Sequence, residues 1–353
     1  MACNFLRRWF RGDESRYQNF LNSYDQFSMA VAPANVHNED RSQLVSGSLT
    51  DRVNGHSGVF VGIYDGHGLE GATCSQFVLD NLFENFKNAM QNHDAVNPEV
   101  IQEAYHRTEV AFVDHVGHNW QNKPQLAVSG SCCLVGVVYN NVLYVANAGH
   151  SRAVLASWPD GGGWNDLEVI QLWVAGRGRA EVIAEHPPGT NLFIESAPGQ
   201  WYIRGALQPT RTIGDVYLKY NEFNEAPLPD EYIQEEPIVP PILKAEPMIQ
   251  THQLSPDDRF VIFASHEFWD LIDNDQAVIL VQGFPRNFWF LYFLVPVENY
   301  FLIWLEIRTK SGIPLPTRRS VRLKALGGDN QDIMTKATDR AQASPSLRNS
   351  VCC

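Results

Sequence analysis

Apolar residues along the chain recur with two periods, and the switches between them outline the elements. Residues 59–64 form a near-continuous apolar run, the pattern of a strand buried on both faces, and lead into Asp65-Gly66-His67-Gly68, read as a turn. Beyond it Ala72, Leu79, Leu82, Phe83, Phe86 and Met90 return at helical spacing. A second helix follows, with Asn97 as N-cap, Pro98 as its first helical residue and Ile101, Ala104, Tyr105, Thr108 and Phe112 as its apolar stripe. Residues 132–139 and 142–147 read as strands joined at an Asn140-Asn141 turn, and 153–156 continues the meander. Residues 157–200 are rich in Gly, Pro and Trp with weak periodicity, which reads as loop or insertion. Residues 260–264 are a further buried strand, and 274–281 a helix. Strands grouped apart from helices predict an α+β sandwich of antiparallel sheets rather than an alternating parallel sheet.

The ends of the chain and one interior segment stand outside this pattern. Residues 1–26 have no clear period and are taken as an N-terminal extension, and 336–353 is polar enough to predict a disordered tail. Residues 288–304 are strongly aromatic and apolar, but Pro296 and Glu298-Asn299 interrupt the roughly 20 apolar residues that a spanning helix needs. That segment reads as buried core, at a place where an amphipathic helix is expected.

Composition narrows the class of function. A chain of 353 residues with 44% hydrophobic residues can bury a large core, and a net charge of −13 argues against a nucleic-acid partner. The six cysteines include the adjacent pairs Cys132-Cys133 and Cys352-Cys353 and show no Cys-x-x-Cys spacing, so neither a disulfide framework nor a zinc ribbon is predicted. No signal-peptide pattern opens the sequence, Ala2 excludes N-myristoylation, and Cys352-Cys353 reads as a plain free tail rather than a prenylation signal. The expected location is therefore intracellular, in cytoplasm, nucleus or both.

Polar clusters recur at strand ends or beside glycine turns: Glu39-Asp40, Asp65 to Gly68, Gly149-His150-Ser151-Arg152, Thr210 to Asp215, and Ser265 to Asp270. A carboxylate at a strand end, followed by glycines that let backbone carbonyls approach, suits a hard cation with oxygen ligands. In order along the chain, Phe27-Ser28-Met29-Ala30, Glu39-Asp40, the Asp65 segment, Gly130-Ser131-Cys132-Cys133-Leu134-Val135-Gly136, Tyr144-Val145-Ala146-Asn147-Ala148-Gly149, Ser151-Arg152-Ala153-Val154-Leu155 and Ile213-Gly214-Asp215-Val216-Tyr217-Leu218-Lys219 resemble the metal-dependent protein phosphatase 2C family, most closely its plant members.

The resemblance implies one four-layer αββα sandwich, two antiparallel sheets flanked by helices, spanning 27–335 and divergent at 157–200 and after 284. It implies a monomer acting on phosphoproteins. Two Mg²⁺ or Mn²⁺ ions between the sheets would activate a water for in-line attack on phosphoserine or phosphothreonine. Carried onto this chain, Asp65 bridges the ions, the Gly66 carbonyl binds one, and Glu39 and Asp40 hold metal-bound waters. His67 protonates the leaving alkoxide, Asp215 lies in the polar shell around it, and Asp329 or Asp332 supplies the last ligand.

Three departures change that expectation. The family's Gly-Asp-Ser-Arg reads Gly149-His150-Ser151-Arg152 here, and its Ser-Asp-Gly-Leu-Trp reads Ser265-His266-Glu267-Phe268-Trp269. Each Asp-to-His exchange removes a negative charge and puts a borderline nitrogen in place of a hard oxygen, which disfavours Mg²⁺. The closing apolar strand of the family has no counterpart from Met334 onward, which predicts an uncovered sheet edge. The expectation is a degraded two-metal centre with weak or no hydrolysis, holding one ion, an altered ion or none. The alternatives are an active phosphatase with Asp65, His67, His150, His266 and Glu267 as a mixed N/O site for Zn²⁺ or Mn²⁺, a non-catalytic phosphoprotein-binding scaffold, or a chain that does not fold stably.

Overall fold

The computed structural model describes residues 27–32, 39–50, 57–159, 167–172, 177–187, 190, 192–234, 241–283 and 300–306, with 27–32, 177, 283 and 300–306 described by backbone alone. Strands β1 (Phe27–Ala32), β2 (Arg41–Ser48) and β3 (Ser57–Gly68) precede helices α1 (Gly71–Met90) and α2 (Pro98–Asn119). Strands β4 (Ser129–Tyr139), β5 (Val142–Ala148), β6 (Arg152–Ser157) and β7 (Glu168–Gln171) follow, then α3 (Arg177–Glu185) and the ribbon β8 (Phe193–Ala197) and β9 (Gln200–Ile203). The remainder is β10 (Ile213–Gly214), β11 (Met248–Gln253), β12 (Asp258–Ala264), α4 (His266–Leu271), α5 (Asn274–Gly283) and β13 (Tyr300–Glu306).

The strands form two antiparallel sheets, ordered β1-β13-β12-β6-β7 and β11-β5-β4-β3-β2, with β10 added to β4. Side-chain alternation explains how they stack. On β3, Val59, Val61 and Ile63 join Leu134, Leu143, Val145, Leu155, Val261 and Phe263 in a core drawn from both sheets. The intervening Phe60 and Tyr64 pack with Val78, Leu82, Phe86, Ile101, Tyr105 and Phe112 of α1 and α2. On the far side Val154, Ile262 and Ala264 pack with Phe268, Trp269, Ala277 and Val278 of α4 and α5. The result is helix, sheet, sheet, helix. Each fully buried aliphatic or Phe side chain in these layers contributes roughly 1.5–3 kcal/mol.

Local signals account for the boundaries. Asn97 caps α2 by accepting from the Val100 amide at 2.9 Å, with Pro98 behind it. Asn140 and Asn141 both take positive φ, 49° and 63°, as a two-residue hairpin between β4 and β5 requires.

Three expectations are corrected. Asp65 to Gly68 is not a turn but the last four residues of β3, paired with Cys132 to Ser129 of β4. Residues 157–200 contain β7, α3, β8 and β9, whose short and largely exposed faces leave no apolar period to read. Finally, Tyr300–Glu306, which begins within the aromatic segment at a place where an amphipathic helix is expected, is a strand paired with β12 and β1, while the expectation from Met334 onward lies outside the described residues. Its run of aromatic and branched residues suits a strand. The rest of the aromatic segment, the N-terminal extension, Asp329, Asp332 and the tail lie outside the described residues. No helix among the described residues is long and apolar enough to cross a membrane.

Candidate active site

The period of β3 aims two site residues into the space between the sheets. Asp65 and His67 continue the odd-numbered face of Val59, Val61 and Ile63, beyond the point where apolar packing ends, and both are buried. The first sheet supplies the opposite wall. β12 ends at Ala264, and Ser265 leads directly into α4, which opens with His266 and Glu267. The segment 149–151 crosses from β5 in one sheet to β6 in the other, and Arg152 pairs with Ala264, so His150 arrives beside His266. Glu39 and Asp40 immediately precede β2, whose first residue, Arg41, pairs with Tyr64.

At the Asp65 end, Oδ2 lies 2.8 Å from His266 Nδ1, and Glu267 Oε2 lies 3.3 Å from the same nitrogen. The three groups offer ligand atoms within 4.8 Å of one another. Burial would raise the Asp65 pKa, but the charge and hydrogen bond of His266 outweigh it and hold the carboxyl below its ordinary value. Burial likewise opposes charge on His266, and Glu267 and Asp65 outweigh it and hold the imidazole well above its ordinary value. Glu267 is pushed up to about 8 by burial and then by Asp65. Asp40, hydrogen-bonded to Asp65, is raised for the same two reasons. His150 is driven down to about 4, by burial and then by His266, so its ring is neutral at pH 7.

At the His67 end the ring turns away from this group. His67 Nε2 lies 2.8 Å from Asp215 Oδ2, which also accepts from Thr212 Oγ1 at 2.7 Å. Burial disfavours the imidazolium, but Asp215 outweighs it and holds the His67 pKa well above its ordinary value. His67, Gly130 and Gly214 lie in one row across β3, β4 and β10. A Cβ at Gly130 would overlap Asp215 Oδ2 and His67 Nε2, so only glycine allows the pair to form there. Asp215 itself adopts a left-handed backbone, φ 48°. Its neighbour Gly214 donates to Glu109 Oε2 at 2.9 Å, and Glu109 Oε1 lies 2.6 Å from Lys219 Nζ, which donates to the Thr212 carbonyl at 2.8 Å.

The residues expected at the site thus divide. Asp40, Asp65, His150 and His266 gather, with Glu267 added, while His67 and Asp215 pair with each other. The Glu39 carbonyl accepts from Ser75 Oγ. A Cβ at Gly66 would come within 2.7 Å of that same Glu39 oxygen, so Gly66 serves the close packing of β3 against residue 39. Sequence reasoning placed Thr212 in a polar cluster and Lys219 in a family motif without giving either a role, and missed Glu109 altogether. For Glu109 a signal existed: it stands one turn after Tyr105 on the buried stripe of α2, where a charge requires a partner.

Known proteins resemble this chain in sequence and in fold. The family model described as Protein phosphatase 2C matches residues 34–161 and 190–286. Probable protein phosphatase 2C 79 of Arabidopsis thaliana is 43% identical over 270 residues, 75% of this chain and 69% of the relative. Probable protein phosphatase 2C 28 of Oryza sativa subsp. japonica is 40% identical over 269 residues, 74% of this chain and 66% of the relative. Among solved structures, serine-threonine phosphatase 2C from Toxoplasma gondii superposes with a TM-score of 0.58 at 17% identity, covering 81% of this chain and 96% of that one. A sex-determining protein of C. elegans superposes at 0.60 with 18% identity, covering 90% and 68%. These two likenesses concern the fold.

Proposed function

The chain belongs to the protein phosphatase 2C family, and from that premise we propose a phosphatase fold that engages phosphoproteins with little or no Mg²⁺- or Mn²⁺-driven hydrolysis. The observation that carries this reading is the 2.8 Å contact between Asp65 Oδ2 and His266 Nδ1. Two hard ions bridged by Asp65 need both its oxygens and further carboxylates, since Mg²⁺ takes octahedral oxygen coordination. Here a ring nitrogen donates to that carboxylate, and a second imidazole stands at His150. The residues present therefore do not fit a pair of hard divalent ions.

The His67 end supports retention of a phosphoryl-facing role. Asp215 holds the His67 imidazole pKa well above its ordinary value, which keeps a cationic ring at this end of the site. Loss of two carboxylates at 150 and 266 also lowers the negative charge a phosphoryl group would meet in the absence of metal. The test is hydrolysis of a phosphothreonine peptide in millimolar Mn²⁺ or Mg²⁺, run beside the Arabidopsis relative. Turnover comparable to that relative sinks the proposal. Negligible turnover, with tighter binding of the phosphorylated than the unphosphorylated peptide, supports it.

A further inference from the structure

The same departures that remove a hard-ion pair assemble a different donor set. We infer that Asp65, His266 and Glu267 form a mononuclear site for a borderline transition-metal ion of the Zn²⁺ class. The inference deepens the reading of this site given above, and its failure is separable from that of the hydrolysis proposal.

Geometry comes first. A tetrahedral Zn²⁺ with N and O ligands at about 2.0–2.2 Å places neighbouring ligand atoms about 3.3–3.5 Å apart. His266 Nδ1 lies 3.3 Å from Glu267 Oε2, at that spacing, and 2.8 Å from Asp65 Oδ2, an edge that would open by about 0.5 Å around such an ion. The three ligand atoms lie within 4.8 Å of one another, and they come from opposite walls: Asp65 from β3, His266 and Glu267 from the start of α4. A metal there would tie the two sheets together.

Donor chemistry follows. Imidazole nitrogen and carboxylate oxygen are both Zn²⁺ ligands, three of them leave a fourth position for water, and imidazole nitrogen suits Zn²⁺ better than Mg²⁺. His67 is not in the set: its ring turns to Asp215, and the ligand atoms that lie within 4.8 Å of one another are those of Asp65, His266 and Glu267. His150 borders the site as a neutral ring and is not counted among the ligands. Asp40, hydrogen-bonded to Asp65, would orient that ligand from behind, as outer carboxyls do at metal sites. On binding, the ion replaces the proton that His266 Nδ1 shares with Asp65, and that proton leaves to solvent.

The experiment uses the full chain carrying Cys352→Ser and Cys353→Ser, so that terminal thiols take no part, after treatment with a chelator. Calorimetric titration with Zn²⁺ is expected to give one equivalent bound. His266→Gln and Glu267→Gln are each expected to weaken it about 10- to 100-fold or more, the range seen when metal-site partners are removed. Co²⁺ should give the intense visible absorption of a four-coordinate site, and Zn²⁺ should shift the ring ¹⁵N resonances of His266 while leaving those of His67 in place. The ring resonances are read on the unsubstituted histidines, so the test stands even where a variant folds poorly. No Zn²⁺ binding, two equivalents, binding indifferent to both substitutions, or a shift at His67 rather than His266 overturns the inference. Any of those results leaves the phosphopeptide assay to decide the hydrolysis proposal by itself.

Discussion

Asp65 and His67 lie two residues apart on one strand, yet they belong to ends of the site built in opposite ways. The His67 end is anchored within a single sheet and its helix layer: Asp215 follows β10, Gly130 is on β4, and Glu109 comes from α2. The Asp65 end closes across the gap, taking His266 and Glu267 from the other sheet. An end supported by its own sheet keeps its partners whatever happens opposite. An end completed from across the gap depends on the far sheet for its charge, and here the exchanges at 150 and 266 stand at the crossover and on the far wall.

The contrast is broken most strongly by removing the charge beneath the His67 end. Lys219→Met leaves Glu109 buried without its cation, and should cost about 3–5 kcal/mol in urea unfolding. A loss below about 1 kcal/mol would mean the Glu109–Lys219 pair does not hold this end. Asp215→Asn should cost about 3 kcal/mol in mildly acidic buffer, because it unpairs a buried imidazolium. The sign with pH follows from a raised histidine pKa. The pair contributes fully below the unfolded value of about 6.5, and its contribution is lost as pH rises through the higher folded value of His67. The penalty of Asp215→Asn should therefore shrink in alkaline buffer; a penalty that grows would contradict the assignment.

Gly130→Ala should cost about 1–3 kcal/mol and displace the His67 ring resonances, since the added methyl meets the pair directly. His266→Gln should be mildest, about 1 kcal/mol, because a partly exposed amide can still donate to Asp65. If thermal melts ranked His266→Gln above Lys219→Met, the Asp65 end would be the stiffer of the two.

How much of this was legible in the sequence depends on where the information sits. The period-two run through Val59, Val61 and Ile63 carries Asp65 and His67 to the inter-sheet face, although the glycines at 66 and 68 made a strand end look like a turn. The Asn97 cap and the Asn140-Asn141 hairpin are local chemistry and could be read directly. Tyr300–Glu306 could not, because its near-continuous apolar run shows no alternation and only its pairing with β1 and β12 defines it. The contact between Asp65 and His266 joins residues 201 apart in the chain, and no spacing rule reaches that far. The substitutions at 150 and 266 were visible as departures from the family pattern; that one of them would supply Asp65 with a partner was a matter of geometry.

The central claim is that the Asp65 end no longer supports a pair of hard ions while the His67 end remains intact. Its most direct test compares phosphothreonine peptide hydrolysis in Mn²⁺ by the natural chain and by a His150→Asp, His266→Asp, Glu267→Gly variant. The account predicts a slow natural chain and a gain of about 100-fold or more in the variant, the upper range for restoring metal-site groups. A natural chain that already hydrolyses the peptide as fast as the variant would contradict it.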